Sequence, residues 1–358
     1  MPTRESTPVL HDGPRAVRHG LILMGAVTLT LLALGWGVFA AVALAARNDM
    51  GAEGVFGIGL AATAFLLGVR HAFDPDHVAA IDNTTRKLVA DGRASLTVGF
   101  WFALGHSTVV VTTVVLLTTG FGAFTAQLAR EDSPLHAVTA VWGPAVAGIF
   151  LVVIGVLNIE PFLALLRMRR HGRLGDADAP AVDAALSRRG LLARALAPIS
   201  RRVDRPWKMY VVGLLFGLGF DTASTIALLV IGANAVTTVP WYIVLVIPVL
   251  FTAGMVTFDA ANGAAMHGAY QWAHRRSGRR LGYNLIVTGL SVAVAFAVGL
   301  LSLSAAVAEI PGADRGLFGA LGTVDLGDAG LLLVAIFGIT WAVAFALSRS
   351  HAGVRDVP

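Results

Sequence analysis

Apolar residues run along this chain in long blocks, separated by short polar or charged connections. Eight blocks reach the roughly twenty residues needed to cross a hydrocarbon core as a helix. They lie at about 20–46, 54–81, 94–120, 137–166, 207–232, 239–267, 282–307 and 329–348. Charges, prolines or glycine clusters bound each one. The pattern predicts an all-α polytopic membrane protein of about eight transmembrane helices. The first block is too long for the apolar region of a signal peptide and has no clear cleavage site, so it is read as a retained helix. The second block is the odd one, because it ends in the polar stretch RHAFDPDH.

Composition agrees with lipid as the solvent. Hydrophobic residues make up 56% of the chain and charged residues 14%, against about 25% charged in soluble domains. The net charge of +5 would suit nucleic acid if it formed a patch, but its placement argues for topology instead. With the N-terminus in the cytoplasm, residues 1–19, 82–93, 167–208, 274–281 and 349–358 face that side and carry 23 of the 27 Lys and Arg residues. The opposite side has only Arg47, Arg130 and Arg315, and Arg70 falls inside the second block. This asymmetry predicts an N-in, C-in arrangement in a cell membrane. The chain then divides into a cytoplasmic tail (1–19), a transmembrane transport domain (20–348) and a second tail (349–358). Within the domain, residues 167–206 form a basic cytoplasmic loop near anionic lipid headgroups. The expected surroundings are membrane lipid, not nucleic acid.

The absence of cysteine excludes disulfides and thiolate metal sites. Metal chemistry would fall to histidine nitrogen and to carboxylate or amide oxygen. Ionisable groups inside membrane spans are costly and mark pathways or sites. The second block holds His71, Asp74, Asp76 and His77. His106 lies near mid-depth in the third block and Asp221 near mid-depth in the fifth. Asp259 and Asn262 sit in the sixth, followed by His267, which is read as interfacial. Asn158, toward the end of the fourth, is most simply an interhelical hydrogen-bonding residue.

On an undistorted helix His71 and His77 would project roughly 240° apart. Pro75 removes a backbone hydrogen bond and kinks the helix, which lets both imidazoles and a carboxylate converge. Such breaks occur at membrane depth only where they are buried in protein or line a cavity, and transporters bind ions at them. Two imidazoles with carboxylates suit Ni, Co, Zn, Cu or Fe(II), whereas Mg and Ca prefer all-oxygen sites.

Four ordered blocks resemble the nickel/cobalt transporter family: RHAFDPDHVAAIDNTTRK (70–87), FALGHSTVV (102–110), LFGLGFDTASTIALL (215–229) and LFTAGMVTFDAANG (250–263). The resemblance implies uptake of Ni2+ or Co2+ across the cytoplasmic membrane without ATP hydrolysis. It implies neither a cofactor nor an ATPase subunit, the metal being the cargo. It carries metal-ligand roles onto His71, Asp76 and His77. Asp74, His106, Asp221, Asp259 and Asn158 are then supporting positions, as relay groups or as partners that orient the ligands. Thr225 stands where the family has Glu, and Ala260 and Asn262 stand where it has Thr and Asp. Two potential negative charges are thereby missing from the pathway.

Two rival readings remain. Related nickel/cobalt exporters share the second-helix motif but tend to carry a His-rich cytoplasmic loop, whereas the loop here has only His171. The H-x4-D pattern also marks glycerolipid acyltransferases, in which Asp orients His as a general base. No EGTR-like phosphate-binding block follows here. Imidazoles must be neutral to bind metal, so uptake is expected to weaken on acidification.

Overall fold

The computed structural model of the protein describes residues 14–45, 51–118, 133–170, 203–219, 245–275, 280–310, 316–322, 324 and 329–350. Among these residues the only regular elements are helices. They are α1 (Pro14–Ala45), α2 (Gly51–Ala72), α3 (Pro75–Ala90), α4 (Val98–Thr118) and α5 (Pro134–Arg170). After a 3-10 turn at Pro206–Lys208 come α6 (Met209–Gly217), α7 (Val246–Arg275), α8 (Arg280–Ala308), α9 (Leu317–Gly322) and α10 (Ala329–Ser350). Five of them are long and apolar enough to cross a membrane: α1, α4, α5, α7 and α8. Shorter apolar stretches occupy Ile58–Ala72 and Ala329–Thr340. The protein is an all-α multi-pass membrane protein. Half of the expected fifth block, including Asp221 and Thr225, lies outside the described residues, as do residues 171–202 of the basic loop.

With a rise of 1.5 Å per residue, the 32 residues of α1 extend about 48 Å and the 37 of α5 about 55 Å, against a hydrocarbon core of about 30 Å. Helices of this length reach past the core or tilt within it. α5 stays continuous through Pro144 and Pro161.

The second block departs from a single kinked helix: it is broken in two. Pro75 cannot donate a backbone hydrogen bond and forces the preceding residue out of the α region. Asp74 accordingly adopts an extended conformation at φ −60° and ψ 137° and caps α3, with Pro75 in its first turn. α2 ends in tight turns, the Phe73 N–H donating to the Arg70 carbonyl and the Asp74 N–H to the His71 carbonyl, both at 3.0 Å. α3 opens with the Val78 N–H donating to the Asp74 carbonyl at 3.1 Å.

A second correction follows from α3. The polar run after Ile81 is not a connecting loop. It continues as helix to Ala90, and Asp82, Asn83, Thr84, Thr85 and Arg86 are all buried. Their polarity faces other helices, α5, α7, α8 and α10 among them, and hydropathy cannot distinguish that environment from water. The turn after α3 is tied to the segment before α6. Lys87 Nζ donates to the Val203 carbonyl at 2.7 Å, and Arg93 reaches both the Asp204 carbonyl at 2.8 Å and its carboxylate at 3.1 Å. The hydrogen bond from Lys208, joined by that from Arg93, holds the Asp204 carboxyl below the usual range. What this pairing contributes is present above the unfolded carboxylate pKa and is lost as pH falls through the lowered one.

Helix pairs approach through glycine at two places that matter for the site. At Gly99 on α4 a Cβ would collide with the Asp259 carbonyl oxygen of α7. At Gly330, at the start of α10, it would overlap the Phe73 carbonyl oxygen, so the last helix seats on the break between α2 and α3. Two apolar clusters flank that break. One joins α1, α2, α4 and α7 around Phe100, Leu250 and Phe251. The other joins α3, α4, α5, α6, α7, α8 and α10 around Phe102, Leu151, Phe216 and Phe337.

Candidate metal centre

The break delivers His71 from the last turn of α2 and His77 from the first turn of α3 to one point. Their ring centroids are 4.7 Å apart. α4 supplies His106, the ninth residue of that helix. Its ring lies 4.8 Å from each of the other two, and its Nε2 is 2.9 Å from His71 Nε2. One nitrogen from each of the three histidines can be chosen so that all lie within 4.8 Å of one another. A late divalent metal bound at about 2.1 Å from each nitrogen separates its donors by about 3.0 Å at right angles and about 3.4 Å in a tetrahedron. The closest pair already meets that spacing, and a pair at the full 4.8 Å reaches the tetrahedral spacing with a shift of about 1.4 Å.

Two of the imidazoles are braced by carboxylates. Asp74 Oδ2 lies 2.7 Å from His71 Nδ1 and Asp259 Oδ2 lies 3.3 Å from His77 Nδ1. With Nδ1 engaged, Nε2 is the nitrogen left to face an ion. A carboxylate behind a ligating imidazole fixes its tautomer and ring direction and raises its basicity. Phe102 stacks edge-on against His77 at 4.7 Å, and Phe251 packs on His71 at 5.7 Å. The cluster is deep but not sealed: His77, His106 and Asp259 are buried, while the Asp74 side chain is 32% exposed.

The remaining expected site residues fall elsewhere. Asp76 accepts the backbone N–H of His77 through Oδ1 at 2.9 Å and is not among the groups whose ligand atoms converge; the third group there is His106. Asp221 lies outside the described residues. Asn158 donates to Asn83 Oδ1 at 3.1 Å, and Asn83 in turn donates to the Ala79 carbonyl at 3.0 Å. Asn158→Ala would leave the buried Asn83 oxygen without its donor, at a cost of about 1–3 kcal/mol. A lowered apparent Tm with nickel affinity retained is the expected result, measured by thermal unfolding and equilibrium dialysis of the purified protein. His267 is buried, with Nδ1 2.8 Å from Ser95 Oγ. Asn262 Nδ2 is buried without a hydrogen-bond partner among the described residues.

Residue-by-residue reading of the sequence passed over a second buried group, in which Tyr270 donates to Asp82 with Arg86 one turn further along. The i, i+4 spacing of Asp82 and Arg86 was its visible trace. The acyltransferase pattern also loses its geometric basis, because Asp74, and not Asp76, orients His71.

Comparison with known proteins identifies the family. The chain is 45% identical over 323 residues to the nickel transporter NicT of Mycobacterium tuberculosis, covering 90% of this chain and 87% of the relative. It is 40% identical over 295 residues to the high-affinity nickel-transport protein NixA of Helicobacter pylori, covering 80% and 87%. With the cobalt transport protein NhlF of Rhodococcus rhodochrous it shares 38% identity over 310 residues, covering 84% and 85%. No solved structure matches the chain. The profile of the NicO family, described as high-affinity nickel-transport protein, matches residues 57–347, and the chain belongs to that family.

Proposed function

We propose that this protein takes up Ni2+ or Co2+ across the cytoplasmic membrane as an eight-span secondary transporter with both termini in the cytoplasm. In this reading His71, His77 and His106 hold the ion, with Asp74 and Asp259 orienting two of the rings. Asp76 shapes the first turn of α3 and stands close enough to lend negative charge. The observation that carries the proposal is the convergence of three imidazoles from three helices at a helix break in a membrane domain. An all-imidazole cluster suits late first-row dications, and it lies where transporters commonly bind their ions.

The named relatives supply the choice of cargo, two carrying nickel in their names and one cobalt. The bonds from Arg93 and Lys87 to Asp204 and Val203 support the topology, since they join two segments assigned to the same side by their basic residues. The ion is the cargo, and the proposal includes neither a cofactor nor an ATPase subunit. Movement of the helices about the break would expose the ion alternately to the two sides.

The test is accumulation of radioactive nickel and cobalt in cells carrying the wild type, His77→Ala or an empty vector. Accumulation above the empty control that disappears in His77→Ala supports uptake through this site, and the ratio of the two metals sets the preference. Metal below the empty control would reverse the direction to export. Equal uptake by wild type and His77→Ala would remove the site from the pathway.

A further inference from the structure

Five residues beyond His77 on α3, a second polar group is buried between α3, α7 and α8. Asp82 is fully buried, and one of its carboxylate oxygens accepts the Tyr270 hydroxyl. That hydroxyl also lies 3.4 Å from Ser291 Oγ. The other oxygen, Oδ2, has no hydrogen-bond partner among the described residues. One turn further on, Arg86 is 7% exposed, and its Nε and Nη2 are equally without partners.

A carboxylate and a guanidinium four residues apart on a helix are placed to pair. Here both are taken out of water and yet keep donors and acceptors unused. Burying charge without closing the pair is costly, so a role confined to holding helices together would favour a closed bridge. The two clusters are also laid out in parallel. Tyr270 follows Asp259 by eleven residues, about three helical turns, and so shares its face of α7. Asp82 follows His77 on α3. Each cluster therefore joins the same two helices, in the same order along both.

We propose that Asp82, with the hydroxyls of Tyr270 and Ser291, is a second station for the divalent cation after it leaves the histidine cluster, and that Arg86 balances Asp82 while the station is empty. The proposal rests on the histidine cluster as the first binding site. The second station offers only oxygen donors, which hold late transition-metal ions less tightly than imidazole does. It therefore receives the ion without trapping it. Five residues of helix separate the stations by about 7.5 Å along the axis. Val78, Ala79, Ala80 and Ile81 lie between them, apolar and fully buried, so passage needs α3 to move against its neighbours. An arriving dication takes over the charge that Arg86 supplies, which accounts for a guanidinium kept near Asp82 but not bonded to it.

The experiment uses the full-length protein, in lipid nanodiscs for equilibrium nickel binding and in proteoliposomes for uptake. Asp82→Asn is expected to bind one Ni2+ within about twofold of the wild-type affinity, while uptake falls by about tenfold or more. Arg86→Gln is expected to bind two ions per chain where the wild type binds one, and the double variant Asp82→Asn/Arg86→Gln to return to one. Wild-type uptake by Asp82→Asn, or loss of its nickel binding, overturns the second station, as does a folded Arg86→Gln that binds a single ion. Asp82→Asn, near-isosteric and uncharged, carries the test alone should Arg86→Gln not fold. His77→Ala in the same binding assay separates the two readings: undiminished affinity there overturns the histidine cluster itself.

Discussion

His77→Ala and His106→Ala are expected to abolish nickel uptake to the same degree, and Asp76→Asn to leave a substantial part of it. The H-x4-D-H motif taken alone ranks these differently, since it contains Asp76 and lacks His106. In the structure His77 and His106 each contribute an imidazole to the cluster, whereas Asp76 Oδ1 is occupied by the His77 backbone N–H, and an asparagine oxygen can accept that bond as well. Residues that orient metal ligands typically contribute about 10–100-fold to metal affinity. Asp259→Asn, which weakens the brace on His77 Nδ1, should fall in that range. Loss of an imidazole itself should exceed it. Equilibrium dialysis of the purified variants with radioactive nickel measures these affinities directly. Nickel affinity equally low in Asp76→Asn and His77→Ala would return Asp76 to the ligand set.

The second large effect is expected at Gly99, which carries no ligand atom. A methyl group there meets the Asp259 carbonyl oxygen, and backbone cannot rotate aside as a side chain can. Gly99→Ala must push α4 away from α7. Overpacking of this kind costs about 1–3 kcal/mol, and with little room for relief the upper end applies. At about 2–4 °C per kcal/mol, the apparent Tm should fall by roughly 6–12 °C. The displaced helices are those that carry His106 and Asp259, so nickel affinity should fall with stability. Gly25→Ala on α1, where a Cβ meets nothing within 4 Å, is the matched control and should change neither. Thermal unfolding of the purified protein with and without nickel reads both effects. Gly99→Ala with wild-type Tm and affinity would mean that the two helices are free to separate.

The apolar blocks, the buried histidines and the importance of the break at Pro75 could all be read from the residues in order, because a long apolar run and a charge within it are local signals. Convergence was not local. Choosing between Asp74 and Asp76 as the partner of His71 required the direction in which the chain leaves α2, and Pro75 resets that direction. His106 stood out only as a histidine at mid-depth, since nothing in its neighbourhood says which helix it meets. The burial of α3 was hidden for a different reason. Its Asp, Asn, Thr and Arg residues read as a loop on any hydropathy scale, and only the neighbouring helices that enclose them show otherwise. Tyr270 carries no local signal, and its role shows only in the hydroxyl it directs at Asp82 of α3.

The seat of Gly330 on the Phe73 carbonyl also sets a timetable for biogenesis. The two residues are 257 positions apart, so at about 5–20 residues per second the ribosome makes the second some 13–50 s after the first. Throughout that interval the nascent chain holds an interrupted helix whose loose carbonyls have no cover from α10. The histidines of the break are made early, and the helix that seats on the break is made long after them. The surroundings of the proposed ion site are therefore completed only once α10 has been made, and a chain terminated before residue 329 would enter the membrane with the break between α2 and α3 uncovered.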